Sequence, residues 1–147
     1  VNVVSLTEDD RAVMIRQFRF GVGYTTLEVP GGMVDPGEDP LSAARRELRE
    51  ETGYGGGTWD YLGAVEPNPA VQDNLCHHFL ARGVSREGPQ ALSGGEAIHM
   101  ELMPTAAVIE ASRSGEIKHA LALSALSRVF QLWPLPFVRD GKGAHGR

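Results

Sequence analysis

The segment Gly32–Tyr54, GMVDPGEDPLSAARRELREETGY, constrains this chain more than any other stretch. It opens in a glycine-rich loop and passes into a charged helix. Asp39 followed by Pro40 is a helix start, with the aspartate as N-cap and the proline at the first helical position. Gly53 is the natural stop, because glycine enters the left-handed conformation there without a Cβ penalty. At ~100° per residue, Glu47, Glu50 and Glu51 fall within an arc roughly 100° wide. Leu41, Ala44 and Leu48 cluster on a neighbouring arc, the expected buried face. Arg45, Arg46 and Arg49 take much of the remaining circumference. Ala43 lies in the acidic arc one turn before Glu47, where its small side chain would leave room above the carboxylates. Mixed charge along a helix is commonly no more than a solvated face with i,i+4 pairs. Three carboxylates on one arc nevertheless repel each other unless something positive sits between them. A hard divalent cation suits an all-oxygen site of this kind.

The rest of the composition sets limits on what such a site can serve. A length of 147 residues predicts one domain with a real core. The net charge of −5 argues against a general nucleic-acid or anionic-membrane binder. The single Cys76 has no internal disulfide partner, which fits a reducing cytoplasm. No apolar run is long enough to span a membrane and no signal-peptide pattern is present. The chain starts at Val1, inside a strand-like stretch and without Met, so upstream residues are expected.

Strand and helix signals then follow in order. Val1–Leu6 and Arg11–Phe20 read as a hairpin around the polar turn Thr7–Asp10. Gly21–Tyr24 reads as a loop, and Leu27–Val29 as a short strand stopped by Pro30. Gly55-Gly56-Gly57 reads as a flexible link. Thr58–Val65 and Leu75–Val84 are strands joined by the loop 66–74. Ser85–Gly95 reads as a mobile loop, Ala97–Met103 as a strand, Pro104–Ser112 as a helix, and Lys118–Leu132 as a helix with Leu121, Ala125, Val129 and Leu132 on one face. Residues 1–135 are the expected domain, and 136–147, without apolar anchors, an expected disordered tail. The order of elements implies mixed α/β layers.

The ordered string Gly32, Glu38, Arg46-Glu47, Leu48, Glu50-Glu51, Gly53, Tyr54, with five residues between the first two and seven between Glu38 and Arg46, resembles the whole signature of the Nudix hydrolases. The resemblance implies the Nudix α/β/α sandwich with a mixed sheet. It further implies hydrolysis of the pyrophosphate bond of a nucleoside diphosphate derivative with Mg²⁺ or Mn²⁺ as cofactor. Glu47, Glu51 and Glu50 would be the metal ligands, with the backbone carbonyl of Gly32 beside them. Arg46 would orient the carboxylates, Glu38 would hold the loop–helix corner, and Gly53 would close the helix. The general base would be Glu47 or, from the loop Ser93–Ile98, Glu96. Glu101 is a weaker candidate for the same task.

Further segments resemble the ADP-ribose and nucleotide-sugar pyrophosphatase branch. They are Arg16-Gln17-Phe18-Arg19, the run Leu27–Gly32, Pro69 and Gly115–Ala120. That resemblance implies substrate contacts from Arg19 and Glu28, although an exposed strand end accounts for Arg19 equally well. Loop 66–74 either lines the substrate pocket or is a turn held by its own side chains. His77 and His78 read as strand residues pointing to opposite faces. The partner is a small nucleotide, with no nucleic acid and no membrane. A homodimer is open, since the branch usually builds its dimer on an N-terminal strand domain that this chain lacks. The alternatives are a nucleoside triphosphate or dinucleoside polyphosphate hydrolase and, from another class, a non-catalytic nucleotide sensor.

Overall fold

Alternation along the strands assigns side chains to two faces of one sheet, and each face finds helices to cover it. The computed structural model describes residues 1–92, 94, 95 and 97–133. The elements are β1 (Asn2–Leu6), β2 (Arg11–Arg19), β3 (Tyr24–Glu28), α1 (Pro40–Thr52), β4 (Tyr54–Gly55), β5 (Thr58–Val65), β6 (Cys76–Arg82), β7 (Ser85–Arg86), β8 (Ile98–Pro104), α2 (Thr105–Ser114) and α3 (Ala120–Ser127). The main sheet runs β3-β2-β1-β6-β5, with β8 paired to β2. β1 is parallel to β6, from Asn2 opposite His78 to Leu6 opposite Arg82, and the other pairings are antiparallel. The sheet is therefore mixed.

Neighbouring residues on each strand go to opposite layers. Val3, Val13, Phe79 and Ala81 pack with Ala43, Ala44 and Leu48 of α1. Val4, Met14, Leu27 and Leu80 pack with Val108 and Ala111 of α2 and Ala122, Ala125 and Leu126 of α3. This is the α/β/α sandwich expected of the sequence. It also explains why β1 is buried through four consecutive residues, Asn2 and Ser5 included: a central strand covered on both faces has no side turned to solvent. Among the described residues, no helix is long and apolar enough to cross a membrane.

Three local expectations are corrected. The Gly55–Gly57 link is a fixed turn rather than a flexible one. Gly55 pairs with Ser85, and Gly57, at φ +70°, lies so close to Arg82 that a Cβ would stand 2.2 Å from its carbonyl oxygen. The segment after β7 is tied to α1: Glu87 and Gly88 donate to the Gly53 carbonyl at 2.8 and 3.2 Å, and Ala91 donates to Glu50 at 2.8 Å. Helix ends leave carbonyls without intrahelical donors, and this segment supplies them. The last helix is shorter than its pattern suggested, ending at Ser127, where the chain tightens into i→i−3 bonds from Arg128 to the Ala125 carbonyl and from Val129 to the Leu126 carbonyl, at 3.2 and 3.0 Å. The tail 136–147 lies outside the described residues.

His77 and His78 do point apart. His77 meets the Tyr61 hydroxyl at 3.0 Å, whereas His78 is fully buried with Nε2 3.1 Å from Ser124 Oγ. Burial, then the charge of Arg128, pushes the His78 imidazole down to about 4 from its ordinary 6.5. Between those values the unfolded chain binds a proton that the folded chain does not. Stability contributed by neutral His78 is present above pH ~6.5 and is lost as pH falls toward 4. In thermal melts across that window, His78→Gln should flatten the pH dependence relative to the parent protein. An unchanged slope would mean that His78 already carries its proton when folded.

Candidate active site

The site begins where β3 ends. Pro30 cannot continue the ladder, and the chain turns through Gly31 and Gly32 against the start of β1. Val3 donates to the Pro30 carbonyl at 2.8 Å and Gly32 to the Val1 carbonyl at 3.1 Å. The Gly32 carbonyl accepts from the Val1 amino group at 2.7 Å. A Cβ on Gly32 would lie 2.4 Å from the Glu47 carboxylate, so that carboxylate rests directly on the glycine backbone.

Helix α1 presents that carboxylate because both of its ends are fixed. Asp39 accepts from the Leu41 and Ser42 amides at 3.0 and 3.1 Å, and Gly53, at φ +75°, donates to Arg49 at 2.8 Å. The buried side of the helix holds Ala43, Ala44, Leu48, Glu51 and Thr52. Ala43 makes no room above the carboxylates. It is fully buried in the core, where its small side chain lets the helix approach the sheet.

Arg46 ties the acidic corner together with five hydrogen bonds, the number a guanidinium can donate. Nε and Nη2 reach the two oxygens of Glu38 at 3.0 and 2.9 Å, and Nη2 also reaches the Met33 carbonyl at 2.9 Å. Nη1 donates to Glu47 Oε1 at 2.9 Å and Glu50 Oε2 at 3.2 Å. The bonds to Glu38, opposed by burial and joined by those to Glu47, raise the Arg46 pKa well above the ordinary value. The same contacts hold the Glu38 carboxyl below the usual carboxylate range. Glu51 is buried and accepts from the Gly31 amide at 2.8 Å.

Gly32, Glu38, Arg46, Glu47, Glu50 and Glu51 are thus brought into one corner. Its donors are all oxygen, and the space a Cβ would fill at Gly32 already holds a carboxylate, so the residues fit a hard divalent cation. Among the described residues, no three His, Cys, Asp or Glu side chains converge as a ready-made metal cluster. A single nitrogen of Arg46, Nη1, instead holds both Glu47 and Glu50. Glu96 lies outside the described residues. Glu101 is bound by Arg16 Nε at 2.7 Å.

A cavity of about 750 Å³ opens beside Gly31 and Gly32, with Arg19, Tyr24, Thr26, Lys118 and His119 on its walls. Pro67 and Asn74 of loop 66–74 also reach it, while the backbone carbonyl of Asn68 closes a turn by accepting from the Val71 and Gln72 amides, so main chain rather than side chains makes that turn. Arg19 binds the buried Glu28 through Nε and Nη2, each at 2.8 Å. Burial pushes the Glu28 carboxyl up, but the bonds from Arg19 and Thr26 and the nearby His119 outweigh it and hold the group below its ordinary value. Sequence reasoning did not place Lys118 and His119 at the cavity. The signal available was their position just before a helix, in a segment already noted for its resemblance.

Comparison with known proteins agrees with this geometry. Residues 1–123 match the NUDIX domain, and the chain belongs to the Nudix family. It is 34% identical over 87 residues to the methanol dehydrogenase activator of Bacillus methanolicus, covering 59% of this chain and 47% of that protein. It is 30% identical over 131 residues to the ADP-ribose pyrophosphatase of Mycobacterium tuberculosis, covering 88% and 63%. The crystal structure of an ADP compounds hydrolase superposes with a TM-score of 0.77 at 25% identity, covering 87% of this chain and 68% of that one. The chain therefore spans between about half and two thirds of these two curated relatives.

Arg46→Lys tests the corner directly. Lysine keeps the charge but cannot reach Glu38, Glu47 and Glu50 together, so the exchange is not conservative here. The variant should stay folded yet melt lower and bind divalent cations several-fold differently by calorimetry. Identical melting and identical cation affinity would show that the hub has no organising role.

Proposed function

We propose that this chain hydrolyses the pyrophosphate bond of a nucleoside diphosphate derivative, ADP-ribose or a nucleotide sugar, with Mg²⁺ or Mn²⁺ as cofactor. The supporting observation is one of adjacency. Gly31 and Gly32, against whose backbone Glu51 and Glu47 rest, line one margin of the cavity, and Arg19, Lys118 and His119 stand on its walls. An acidic chain that takes an anionic diphosphate needs local positive charge, and Arg19 and Lys118 supply it at this cavity. The names of the similar pyrophosphatase and hydrolase support the same substrate class.

In this reading Glu47, Glu50, Glu51 and the Gly32 carbonyl hold the cation. When bound, a divalent cation neutralises phosphate oxygens and lowers the pKa of a coordinated water. Arg46 keeps Glu38, Glu47 and Glu50 in register and has no need to touch substrate. Arg19 donates to a phosphate oxygen. Water attacks phosphorus, the bridging P–O bond breaks, and two phosphate monoesters leave. The proton of the attacking water goes to Glu96 or to Glu47.

Excess chelator should abolish turnover, and added Mg²⁺ should restore it. The assay is release of nucleoside monophosphate from a panel of ADP-ribose, nucleotide sugars, nucleoside triphosphates and dinucleoside polyphosphates. Turnover that survives exhaustive chelation would remove this corner as the catalytic centre, and triphosphates turning over best would overturn the substrate class.

The two candidate bases separate by kinetics. A general base contributes ~10²–10⁴-fold. Glu96→Gln should therefore depress kcat strongly while leaving cation affinity unchanged. A change below about threefold, alongside a Glu47→Gln variant that binds metal normally but is inactive, would assign the proton to the helix instead.

A further inference from the structure

Glu28 is a carboxylate with 2% exposure, and a buried charge of this kind is tolerated only where it is paired and hydrogen-bonded. Its Oε1 accepts from Arg19 Nε at 2.8 Å and from Thr26 Oγ1 at 2.5 Å. Its Oε2 accepts from Arg19 Nη2 at 2.8 Å and lies 3.4 Å from His119 Nδ1. That last contact has ion-pair distance without hydrogen-bond geometry, and among the described residues the buried His119 Nδ1 has no hydrogen-bond partner. The three partners come from three places in the chain: the end of β2, the middle of β3, and the residue just before α3. All three line the cavity, while Glu28 sits behind them.

The strand register explains how this is reached. Arg19 stands opposite Tyr24, and Thr26 and Glu28 follow on the same face of β3. The Arg19 side chain therefore runs along that face, past Thr26, to a fork-on-carboxylate contact with Glu28. Such a bidentate contact fixes the plane of a guanidinium as well as its position. A cavity-wall arginine held in this way meets an anionic group with little rotamer entropy left to lose.

We propose that Glu28 is a positioning residue, acting on substrate through Arg19, Thr26 and His119, whose arrangement on the cavity wall it sets. The proposal rests on the reading that this cavity receives a nucleoside diphosphate derivative, and its test is chosen so that the two can fail separately. The charges acting on His119 are Glu28, which favours its protonated form, and Arg19, which opposes it alongside burial.

The first readout needs no substrate. In two-dimensional NMR of the protein alone, Glu28→Gln should weaken or abolish the Arg19 Nε–H resonance and lower the His119 titration midpoint, because the favouring charge is gone. The second readout is kinetic, with ADP-ribose. Glu28→Gln should lower kcat/KM by about tenfold or more, and Arg19→Ala should do likewise. The double variant should cost less than about threefold beyond either single one, since both remove the same contact. If Glu28→Gln does not fold, Glu28→Asp keeps the charge, loses reach, and should show the same loss of the Arg19 signal. An unchanged Arg19 resonance and His119 midpoint, or fully additive kinetic effects, would overturn the proposal. Altered resonances in a protein that does not turn over ADP-ribose would leave Glu28 as the organiser and remove the substrate reading.

Discussion

Like charges confined to one helical turn and a half need a counter-charge, and Arg46 meets that need within the protein. It lies one residue before Glu47 and one turn before Glu50, and from there it reaches back to Glu38 and the Met33 carbonyl in the preceding loop. The same five bonds therefore relieve repulsion among the acids and fasten the loop to the helix. Remaining features of the corner serve this one. The Asp39 and Gly53 caps hold the helix to its length, Leu48 and Ala44 seat it on the sheet, and the segment 87–91 satisfies its last carbonyls. Charge-assisted bonds of this sort are strong where partly shielded from water, and Glu38 and Glu47 are both largely covered.

Much of this was legible in the sequence because the relevant physics is local. The helix could be bounded at Asp39, Pro40 and Gly53 because caps are short-range chemistry. The two strands around residues 58–65 and 76–82 could be found because their composition and alternation are visible within a few residues. Mixed α/β layers followed from the order of elements, and the covering of both sheet faces from the family resemblance. The role of Arg46 as an organiser was expected from the resemblance, and its contacts are consistent with that.

What the sequence concealed is what depends on distant residues meeting. Gly57 reads as a link because nothing local says that Arg82 presses against it. Segment 85–95 reads as loose because its partners, the carbonyls of Glu50 and Gly53, lie more than thirty residues earlier. Ala43 reads as clearance in an acidic arc, and only the packed sheet shows it to be core. Lys118 and His119 reach the cavity because α3 packs on the sheet face behind it, a placement no local pattern encodes.

Gly31 and Gly32 are adjacent, both intolerant of a side chain, and for unrelated reasons. At Gly31 the obstacle is main chain: a Cβ would stand 2.2 Å from the Val1 carbonyl oxygen. At Gly32 it is the far end of the Glu47 side chain, which can swing aside. The two glycines therefore guard different things. A methyl group at position 32 would displace the Glu47 carboxylate and leave the backbone where it is, whereas one at position 31 would drive main chain against main chain and part the junction between β1 and the end of β3.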